Sequence, residues 1–563
     1  MIFSRIARAD RRPLWPPPIP DLLSLLDVVV LAYLVLFLAL PLGRILVNAA
    51  LAAGGLASDP GFLDHVGRVT WNAVLLGALT SAISVSVGLV LAVCITKVRM
   101  PARRTFAVLL ALPLVTPPFI SSFATILLLG RTGVITQGLR ALGVPDFTIY
   151  GLMGLLITHV LHFIPLAYLT IAAGLRVVPR DIEECAASLG SSTGTTLRRV
   201  VLPYVAPHVL MAAALVFLSS FGDVGAPLLV GGNYRVLAVE TYLAFTGFLV
   251  EPQHAIMLAS WTILLSLAML FVVRALLQRT TIKHVHSTTS HEYDAPAAGW
   301  IALGICAIVT TLLFLPYVVI VISSFGTIWG ATLLPSGFTL GNYASVLADP
   351  RPLQTSLLLS AAATPILLIG AVGVARMLHE YGRRAVILDY LTLLPFVIPG
   401  VVIGIGLITS FADLRPFGLA VSLASTPAIL PLAYSIRRLP ISMRVMAAGF
   451  ARIDRSVEEC SASLGASRLR TFARITLPQL GPIIVASSAI GFIRIMTELG
   501  STLVLYPPGW QTATVSIFKL VGEGRIAQAS AIGVVLVGLV GILAGLTTLD
   551  HRRLWRRMTA WHR

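Results

Sequence analysis

The sequence predicts an all-α polytopic membrane protein, with about 12 transmembrane helices in two tandem, pseudo-symmetric halves of six helices each. Three observations support this class. The 563 residues are 57% hydrophobic and only 12% charged, a composition typical of chains that cross a bilayer many times. Apolar runs of spanning length recur along the chain. A polar stretch in the first half, 181–203, returns in the second half at 456–478, which indicates a duplicated unit.

The apolar runs divide the chain into five parts. These are a cytoplasmic tail (1–26), a first six-helix domain (27–277), a cytoplasmic linker (278–298), a second six-helix domain (299–548) and a second cytoplasmic tail (549–563). A signal peptide is the alternative for the N-terminal segment, but the run after it is long enough to span and has no clear cleavage site. The predicted spans are 27–50, 70–96, 105–130, 149–175, 200–221, 255–277, 299–324, 354–378, 386–410, 417–436, 479–505 and 527–548.

The basic residues set the predicted orientation. Most of the 41 Arg and Lys residues fall in the tails and in alternate loops, whereas the opposite loops are acidic or sparsely charged. We therefore expect both termini and both copies of the repeated stretch on the cytoplasmic side of the membrane. The net charge of +17 does not indicate nucleic-acid binding, because the basic residues are spread over short loops and form no basic domain.

The repeated stretch is a polar island between apolar runs. In the register that aligns Asp181 with Ser456, half of the positions in 180–207 are identical to their partners in 455–482. Each copy carries the signals of one short helix, with a reciprocal capping box at its start and a glycine at its end. These residues are Asp181, Glu184 and Gly190 in the first copy, and Ser456, Glu459 and Gly465 in the second.

One face of each predicted short helix is apolar. It is formed by Ile182, Cys185, Ala186 and Leu189 in the first copy, and by Val457, Cys460 and Leu464 in the second. Such a helix suits docking into a groove of another protein. The alternative is a helix that lies along the lipid headgroups and whose glutamates serve only as caps. Lipid, however, does not require the same register in both halves.

Both stretches resemble the EAA loops of permease subunits in binding-protein-dependent ABC importers. The family pattern is Glu-Ala-Ala, three residues, Gly, nine residues and Ile-x-Leu-Pro. The first copy reads Glu184-Cys185-Ala186, Gly190 and Val200-x-Leu202-Pro203, and the second reads Glu459-Cys460-Ser461, Gly465 and Ile475-x-Leu477-Pro478. The departures, Cys for the first Ala in both copies, Ser461 and Val200, exchange small residues for small ones or apolar residues for apolar ones.

The resemblance implies a type I importer permease fold and a coupling helix that a cytoplasmic ATPase grips. It also implies two ATPase copies, a periplasmic substrate-binding protein and contact with the lipids of a bacterial inner membrane. Fused permeases of this length most resemble the iron(III) group, with 2-aminoethylphosphonate, thiamine and polyamine importers as related alternatives. The implied coupling residues are Glu183, Glu184, Cys185, Ala186, Leu189 and Gly190, and Glu458, Glu459, Cys460, Ser461, Leu464 and Gly465.

The sequence contains no set of residues typical of an enzyme. The phosphate-binding pattern Gly-x-x-x-x-Gly-Lys-Ser/Thr is absent, so we expect ATP to be used by a partner subunit and no cofactor to be bound by this chain. No nucleophile with its base is recognisable. The four cysteines form no close metal-type pair, and two lie in the repeated stretch on the cytoplasmic side, where disulfides are disfavoured. We predict neither a metal site nor a disulfide.

Prolines and charges within the spans are candidates for the substrate pathway: Pro117, Pro118, Asp223, Pro399, Arg494 and Glu498. The prolines belong to a second repeated pair of stretches, 112–118 and 394–400, where a broken helix would line a cavity; ordinary kinks are the alternative. Arg494 and Glu498, four residues apart, are expected to pair on one helix face, with a substrate contact as the alternative. Asp223 is expected at the solvated external end, and His162 as a satisfied core residue.

A rival class is the ion-coupled secondary transporter, which also has pseudo-symmetric halves and charges inside the membrane. That class has no use for the repeated polar stretch. A membrane-embedded enzyme is a further alternative, but the chain has no paired catalytic motif.

Overall fold

The computed structural model describes residues 22–56, 59–116, 118–131, 133–143, 145, 148–247, 252–279, 296–327, 335–413 and 422–548. These residues are mainly helical. Within these ranges no strand forms, and an isolated antiparallel bridge joins Gly326 and Phe338. Most of the predicted N-terminal tail and linker, and the whole C-terminal tail, lie outside the described residues.

We number the long helices and the two short helices of the repeated stretch in chain order. The first half contains α1 (Leu22–Leu34 and Leu40–Leu56, joined by a π turn at Val35–Ala39), α2 (Pro60–Lys97), α3 (Pro118–Leu129), α4 (Leu152–Leu175), α5 (Arg180–Ser188), α6 (Thr193–Phe221) and α7 (Pro252–Arg279). The second half contains α8 (Pro296–Ser324), α9 (Arg351–Tyr381), α10 (Val386–Val397), α11 (Gly400–Phe411), α12 (Ile429–Phe450), α13 (Arg455–Ser463), α14 (Arg468–Met496) and α15 (Ile526–Thr548).

Shorter helices connect these elements. They are Arg103–Leu109, Leu112–Val115, Val134–Ala141, Gly225–Val230, Leu237–Thr246, Gly341–Ala348, Gly382–Ala385, Leu423–Ser425, Thr502–Leu505 and Ala513–Gly522. Both α6 and α14 contain a π turn near their start, at Leu197–Val201 and Phe472–Thr476. The two turns occupy equivalent positions in the repeat register, so the duplication extends to this local distortion of the helix.

Ten helices in the described part of the chain are long and apolar enough to cross a membrane, and the bent pair α10 and α11 makes eleven. The remaining long helix, α12, has 22 residues and so extends about 33 Å, enough to span. Three arginines, Arg437, Arg438 and Arg444, make it less apolar than the others. With α12 included, each half has six long helices or helix pairs, as predicted.

Two predicted spans differ from the structure. The span 417–436 is wrong, because the helix is α12, Ile429–Phe450, and residues 414–421 lie outside the described part. The apolar run stops at Arg437 and Arg438, whereas the helix continues through them because their charges are paired in the fold. The span 105–130 is not one helix: it is divided into Arg103–Leu109, Leu112–Val115 and α3, in a segment where Pro113 cannot donate a helix hydrogen bond.

Each half is organised around the same group of three helices. In the first half α2 packs on α4 and α6, and in the second half α9 packs on α12 and α14. The first helix of each half lies against the other half: α1 packs on α9 and α11, and α8 packs on α2 and α3. Leu34 of α1 is accordingly buried in the same core as Leu367 of α9. This exchange of first helices joins the two halves into one body.

Candidate functional site

The two repeated stretches fold into matching short helices, α5 and α13, and both helices end as predicted. Gly190 and Gly465 have φ angles of 78° and 77°, in the region that favours glycine. The Gly190 N–H donates to the Ala187 carbonyl at 2.9 Å, and the next N–H, of Ser191, donates to the Ala186 carbonyl at 3.0 Å. This is the Schellman arrangement, and the second copy repeats both hydrogen bonds.

The predicted capping boxes at the helix starts are wrong. Helix α5 begins after Pro179, which makes no side-chain cap, and Asp181 therefore lies inside the first turn. Helix α13 is capped by Asp454, whose carboxylate accepts from the Ser456 N–H at 3.0 Å. That hydrogen bond lowers the pKa of the Asp454 carboxyl. Both helices thus begin earlier in the sequence than predicted, after Pro179 and after Asp454, a residue type that caps as well as serine does.

The outer face of each short helix is open. Leu189 and Leu464 are both 88% exposed, and Ile182 and Val457 are both 39% exposed. Cys185 and Cys460 are exposed on the same face. Each is flanked by an exposed glutamate that is ion-paired with the arginine four residues earlier: Glu184 with Arg180, and Glu459 with Arg455. The duplicated stretches therefore present the same surface twice.

The inner face of α5 is anchored by a buried ion pair. Glu183, one of the predicted coupling residues, accepts from the Lys97 ammonium at the end of α2, and both side chains are fully buried. Sequence reasoning missed Lys97, because its partner lies far along the chain on another helix. Glu183 therefore holds α5 on its own half, while Glu184 remains exposed.

The inner face of α13 is anchored by weaker contacts. Glu458 accepts from the Thr476 hydroxyl at 3.0 Å and lies 3.9 Å from the His379 ring at the end of α9. The imidazole of His379 lowers the pKa of the Glu458 carboxyl. Ser461, also a predicted coupling residue, is buried and shares a hydrogen bond of 2.8 Å with Thr471. Both halves thus use the glutamate just before the motif, Glu183 or Glu458, as an anchor, with different partners.

A second pair of matching sites lies where the halves meet. In the second half, Glu498 is only 2% exposed. Its Oε1 accepts from Arg437 Nε at 2.9 Å, and its Oε2 accepts from Arg438. Arg437 also donates to the Ile398 carbonyl at 2.9 Å, beside Pro399 at the 109° bend between α10 and α11. The Glu498 carboxylate therefore ties the end of α14 to α12 and, through Arg437, to the broken helix.

In the first half, Asp223 occupies the position that corresponds to Glu498 in the repeat register. Its Oδ2 accepts from His159 Nε2 at 3.1 Å, since a carboxylate only accepts. In the neutral ring, Nδ1 of His159 then accepts from the Ser220 hydroxyl at 2.8 Å. His159 lies on α4, the counterpart of α12. The two halves share one arrangement. Asp223 follows α6 and is held by a histidine on α4, and Glu498 follows α14 and is held by arginines on α12.

Three predictions for this region are wrong. Arg494 and Glu498 do not pair, because α14 ends at Met496 and the spacing of four no longer places them on one helix face. Asp223 is not solvated, since its side chain is 14% exposed and paired. His162 is not a satisfied core residue: it is 3% exposed, and its Nδ1 has no hydrogen-bond partner among the described residues.

The two carboxylate sites are close to the contact between the halves. A Cβ placed on Gly222 would lie 3.8 Å from the Val397 carbonyl oxygen and 4.0 Å from the Pro399 Cα. One placed on Gly225 would lie 3.1 Å from a methyl carbon of Leu499. The structure therefore brings together three of the predicted pathway residues, Asp223, Pro399 and Glu498. Pro117 lies outside the described residues, and Pro118 begins α3.

The side chains that commonly bind metal ions, those of histidine, cysteine, aspartate and glutamate, are not clustered in the described part of the chain. In the described ranges, no group of three or more of them could hold a metal ion. The four cysteines are free, with Cys94 and Cys306 buried and the other two exposed in α5 and α13.

Comparison with known proteins identifies the family. The binding-protein-dependent transport system inner membrane component family matches residues 84–282 and again residues 366–555, and the chain belongs to this family. It is 27% identical over 495 residues to the ferric transport system permease protein FbpB of Actinobacillus pleuropneumoniae, covering 84% of this chain and 69% of that protein. It is 28% identical over 526 residues to the probable ABC transporter permease protein y4fN of Sinorhizobium fredii, covering 90% of each.

A further relative matches one half only. The putative 2-aminoethylphosphonate transport system permease protein PhnV of Salmonella typhimurium is 34% identical over 250 residues, which are 44% of this chain and 92% of that protein. The tandem family match and these relatives make the chain a fused, duplicated ABC importer permease that spans the inner membrane several times and works with a substrate-binding protein and an ATPase. The secondary-transporter alternative is thereby excluded.

Proposed function

We propose that this chain translocates iron(III), delivered by a periplasmic binding protein, and is driven by two copies of one cytoplasmic ATPase. The observation that carries the proposal is the duplicated coupling helix, with the same exposed leucine and the same Schellman end in each half. Two surfaces of equal shape suit two identical partner subunits, each of which would receive the apolar side chains in a groove.

The orientation follows from the basic residues of the tails and alternate loops. In that orientation both coupling helices and both termini are cytoplasmic, where ATP is available to the partner. The bend between α10 and α11, together with the two carboxylate sites, then lies between the external entrance and the coupling helices.

Iron(III) is the first candidate cargo because the ferric permease relative matches across both halves of the chain. A second candidate, 2-aminoethylphosphonate, is favoured by the higher identity of PhnV over nearly half of the chain. Titration of the purified partner binding protein with iron(III) and with 2-aminoethylphosphonate discriminates between them. A binding protein that takes neither ligand contradicts both candidates.

The docking role is tested by Leu189→Asp and Leu464→Asp, made singly and together. Both side chains are almost fully exposed, so the substitutions leave the fold intact and place a charge in the proposed groove. We expect each single variant to retain less ATPase on co-purification, and the double variant to lose ATPase binding and uptake.

Leu142→Asp is the matched control, because Leu142 is 81% exposed and follows the helix Val134–Ala141, on the predicted external side. It should retain the ATPase like the unsubstituted chain. Normal ATPase binding by the double variant at Leu189 and Leu464 contradicts the docking proposal.

A further inference from the structure

Two arginines and one aspartate form a cluster where the last helix of the first half, α7, packs against α10 of the second half. Asp389, in the first turn of α10, accepts through Oδ2 from Arg274 of α7. Its Oδ1 lies 3.1 Å from Nη2 of Arg444 on α12. The Arg274 guanidinium also lies over the Tyr390 ring, 3.8 Å from the centroid. One carboxylate with two cationic partners therefore ties three helices together.

The repeat does not require this cluster. In the register that relates the two halves, Asp389 and Arg444 correspond to Leu114 and Leu169 of the first half. A six-helix unit is thus built without these charges at the same positions. Their presence in one half indicates a role at the contact between the halves or toward the surroundings of the protein.

The negative charge of the cluster lies inside and the positive charges lie outside. The Asp389 side chain is 4% exposed, whereas those of Arg274 and Arg444 are 20% and 31% exposed. An arginine keeps its proton, so the one carboxylate offsets only one of these two charges. In addition, the buried Nη1 of Arg274 has no hydrogen-bond partner among the described residues. A buried donor without an acceptor is costly, which favours an acceptor from outside these residues.

The surface around the cluster is apolar. Phe271, three residues before Arg274 on α7, is 68% exposed, and Ile387, three residues before Tyr390 on α10, is 81% exposed. Side chains three residues apart are neighbours on a helix surface, so large apolar groups border the guanidinium groups, as acyl chains require. Arg444 is near the end of α12, the helix that leads into α13. In the orientation proposed above, the cluster is therefore at the cytoplasmic side.

We propose that Arg274 and Arg444 bind the phosphate of an anionic phospholipid from the cytoplasmic leaflet. Guanidinium groups bind phosphate through charge-assisted hydrogen bonds, and basic pockets between transmembrane helices on the cytoplasmic side bind anionic headgroups. The acyl chains would cover Phe271 and Ile387. A lipid in this position contacts α7 and α12 at once and strengthens the contact between the halves. This inference goes beyond the proposed function and depends on neither the cargo nor the ATPase.

The test uses the full chain in nanodiscs of phosphatidylcholine, with and without phosphatidylglycerol. The measurements are the gain in Tm that phosphatidylglycerol produces and, by native mass spectrometry, the retention of that lipid. We expect a gain for the unsubstituted chain. Arg274→Gln should lower the gain and weaken lipid retention roughly tenfold, because a charge-assisted contact is lost. Arg274→Lys keeps the charge and should retain more of the gain.

Asp389→Asn should change the gain in the opposite direction. It removes the carboxylate of the cluster, so both guanidinium groups are left to attract phosphate. The gain in Tm from phosphatidylglycerol should then exceed that of the unsubstituted chain, even where the variant is less stable in phosphatidylcholine alone. Arg104→Gln is the matched control, because Arg104 is exposed, lies on the same predicted side and lowers the net charge equally. Its gain should be unchanged.

Inorganic phosphate offers the same chemistry without acyl chains, and a further arm adds it to the phosphatidylcholine nanodiscs. It should give no gain in Tm. A gain equal to that from phosphatidylglycerol would identify a soluble anion and overturn the lipid assignment. Absence of any gain from phosphatidylglycerol in the unsubstituted chain would overturn the proposal without any variant. Equal losses in Arg274→Gln and Arg104→Gln, or an unchanged gain in Asp389→Asn, would assign the effect to overall charge and contradict this site.

Discussion

The two halves place a carboxylate at the same repeat position, but its partners differ in residue type and in their position on the preceding long helix. In the second half, Glu498 is held by two guanidinium groups, which stay charged. In the first half, Asp223 is held by an imidazole, a donor in both its neutral and its charged form, and by backbone N–H groups that include that of Ala226. The carboxylate has been kept where the halves meet, while its partners have diverged.

The short helices α5 and α13, which we propose as the coupling helices, differ from each other much less. Their outer faces have equal exposure at Leu189 and Leu464, and only the anchors differ, Lys97 in one half and His379 in the other. Under the proposed function each outer face would receive one copy of the same partner subunit, and this shared partner would keep the two faces alike. The two carboxylate sites carry no such requirement, and their partners differ.

The largest expected effect is a difference in stability between variants of the two carboxylates, Glu498 and Asp223. Glu498→Gln leaves Arg437 and Arg438 buried without a counter-ion, and breaking a buried ion pair costs about 3–5 kcal/mol. Asp223→Asn keeps an acceptor for His159, and we expect a cost of about 1–2 kcal/mol. Thermal unfolding of the purified importer should show a clearly larger fall in Tm for the first variant. Equal falls would mean that the two sites are energetically equivalent.

A smaller effect is expected from the residues that anchor the two short helices, Lys97 for α5 and His379 for α13. Lys97→Met removes the cation that pairs with the Glu183 carboxylate, at a cost of about 3 kcal/mol that α5 reduces by moving toward water. His379→Gln should cost less, because Glu458 keeps the hydrogen bond from Thr476. ATPase co-purification and protease protection of each coupling helix measure the difference.

The control for the anchor is the double variant Lys97→Met with Glu183→Met. Replacing both ions by apolar residues of similar size is close to neutral, so ATPase binding should return. Continued loss in the double variant would show that Glu183 contacts the ATPase rather than only anchoring α5.

An equal effect in both halves is expected at the helix ends. Gly190→Ala and Gly465→Ala each force a side chain into the left-handed region, at a cost of about 1–2 kcal/mol. A Cβ at either position meets no atom within 4 Å, so backbone strain is the whole effect. Hydrogen exchange of α5 and α13 should increase to the same extent in the two variants. A difference between them would show that the two Schellman ends are not equivalent.

The smallest effect is a pH dependence confined to α13. The pKa of Glu458 is lowered from its ordinary value of 4.5 by His379, so the folded state favours the carboxylate. This contribution is complete above the ordinary pKa and is lost as the pH falls through the lowered value. Hydrogen exchange of α13 should therefore rise in acid, and Glu458→Gln should reduce that dependence to the part that comes from the cap Asp454, whose pKa is also lowered. A dependence that is unchanged in Glu458→Gln belongs to another group.

The sequence by itself determined the class of the protein, the two halves and the ends of the coupling helices. Hydropathy, the repeat and the glycines at 190 and 465 are local signals that need no knowledge of packing. The helix starts were predicted incorrectly because several local residues compete for the cap, and Pro179 and Asp454 lie earlier than the predicted ones.

Only the tertiary structure decided the partners of the buried charges. Glu498 lies four residues after Arg494, yet it pairs with two arginines on another helix, because α14 ends first and α12 packs beside it. The same pairing lets α12 continue through Arg437 and Arg438, where the apolar run stops. The anchors Lys97 and His379 and the base His159 were likewise fixed by which helix ends meet. Contacts between distant segments depend on packing, and the periodicity of a single segment does not encode them.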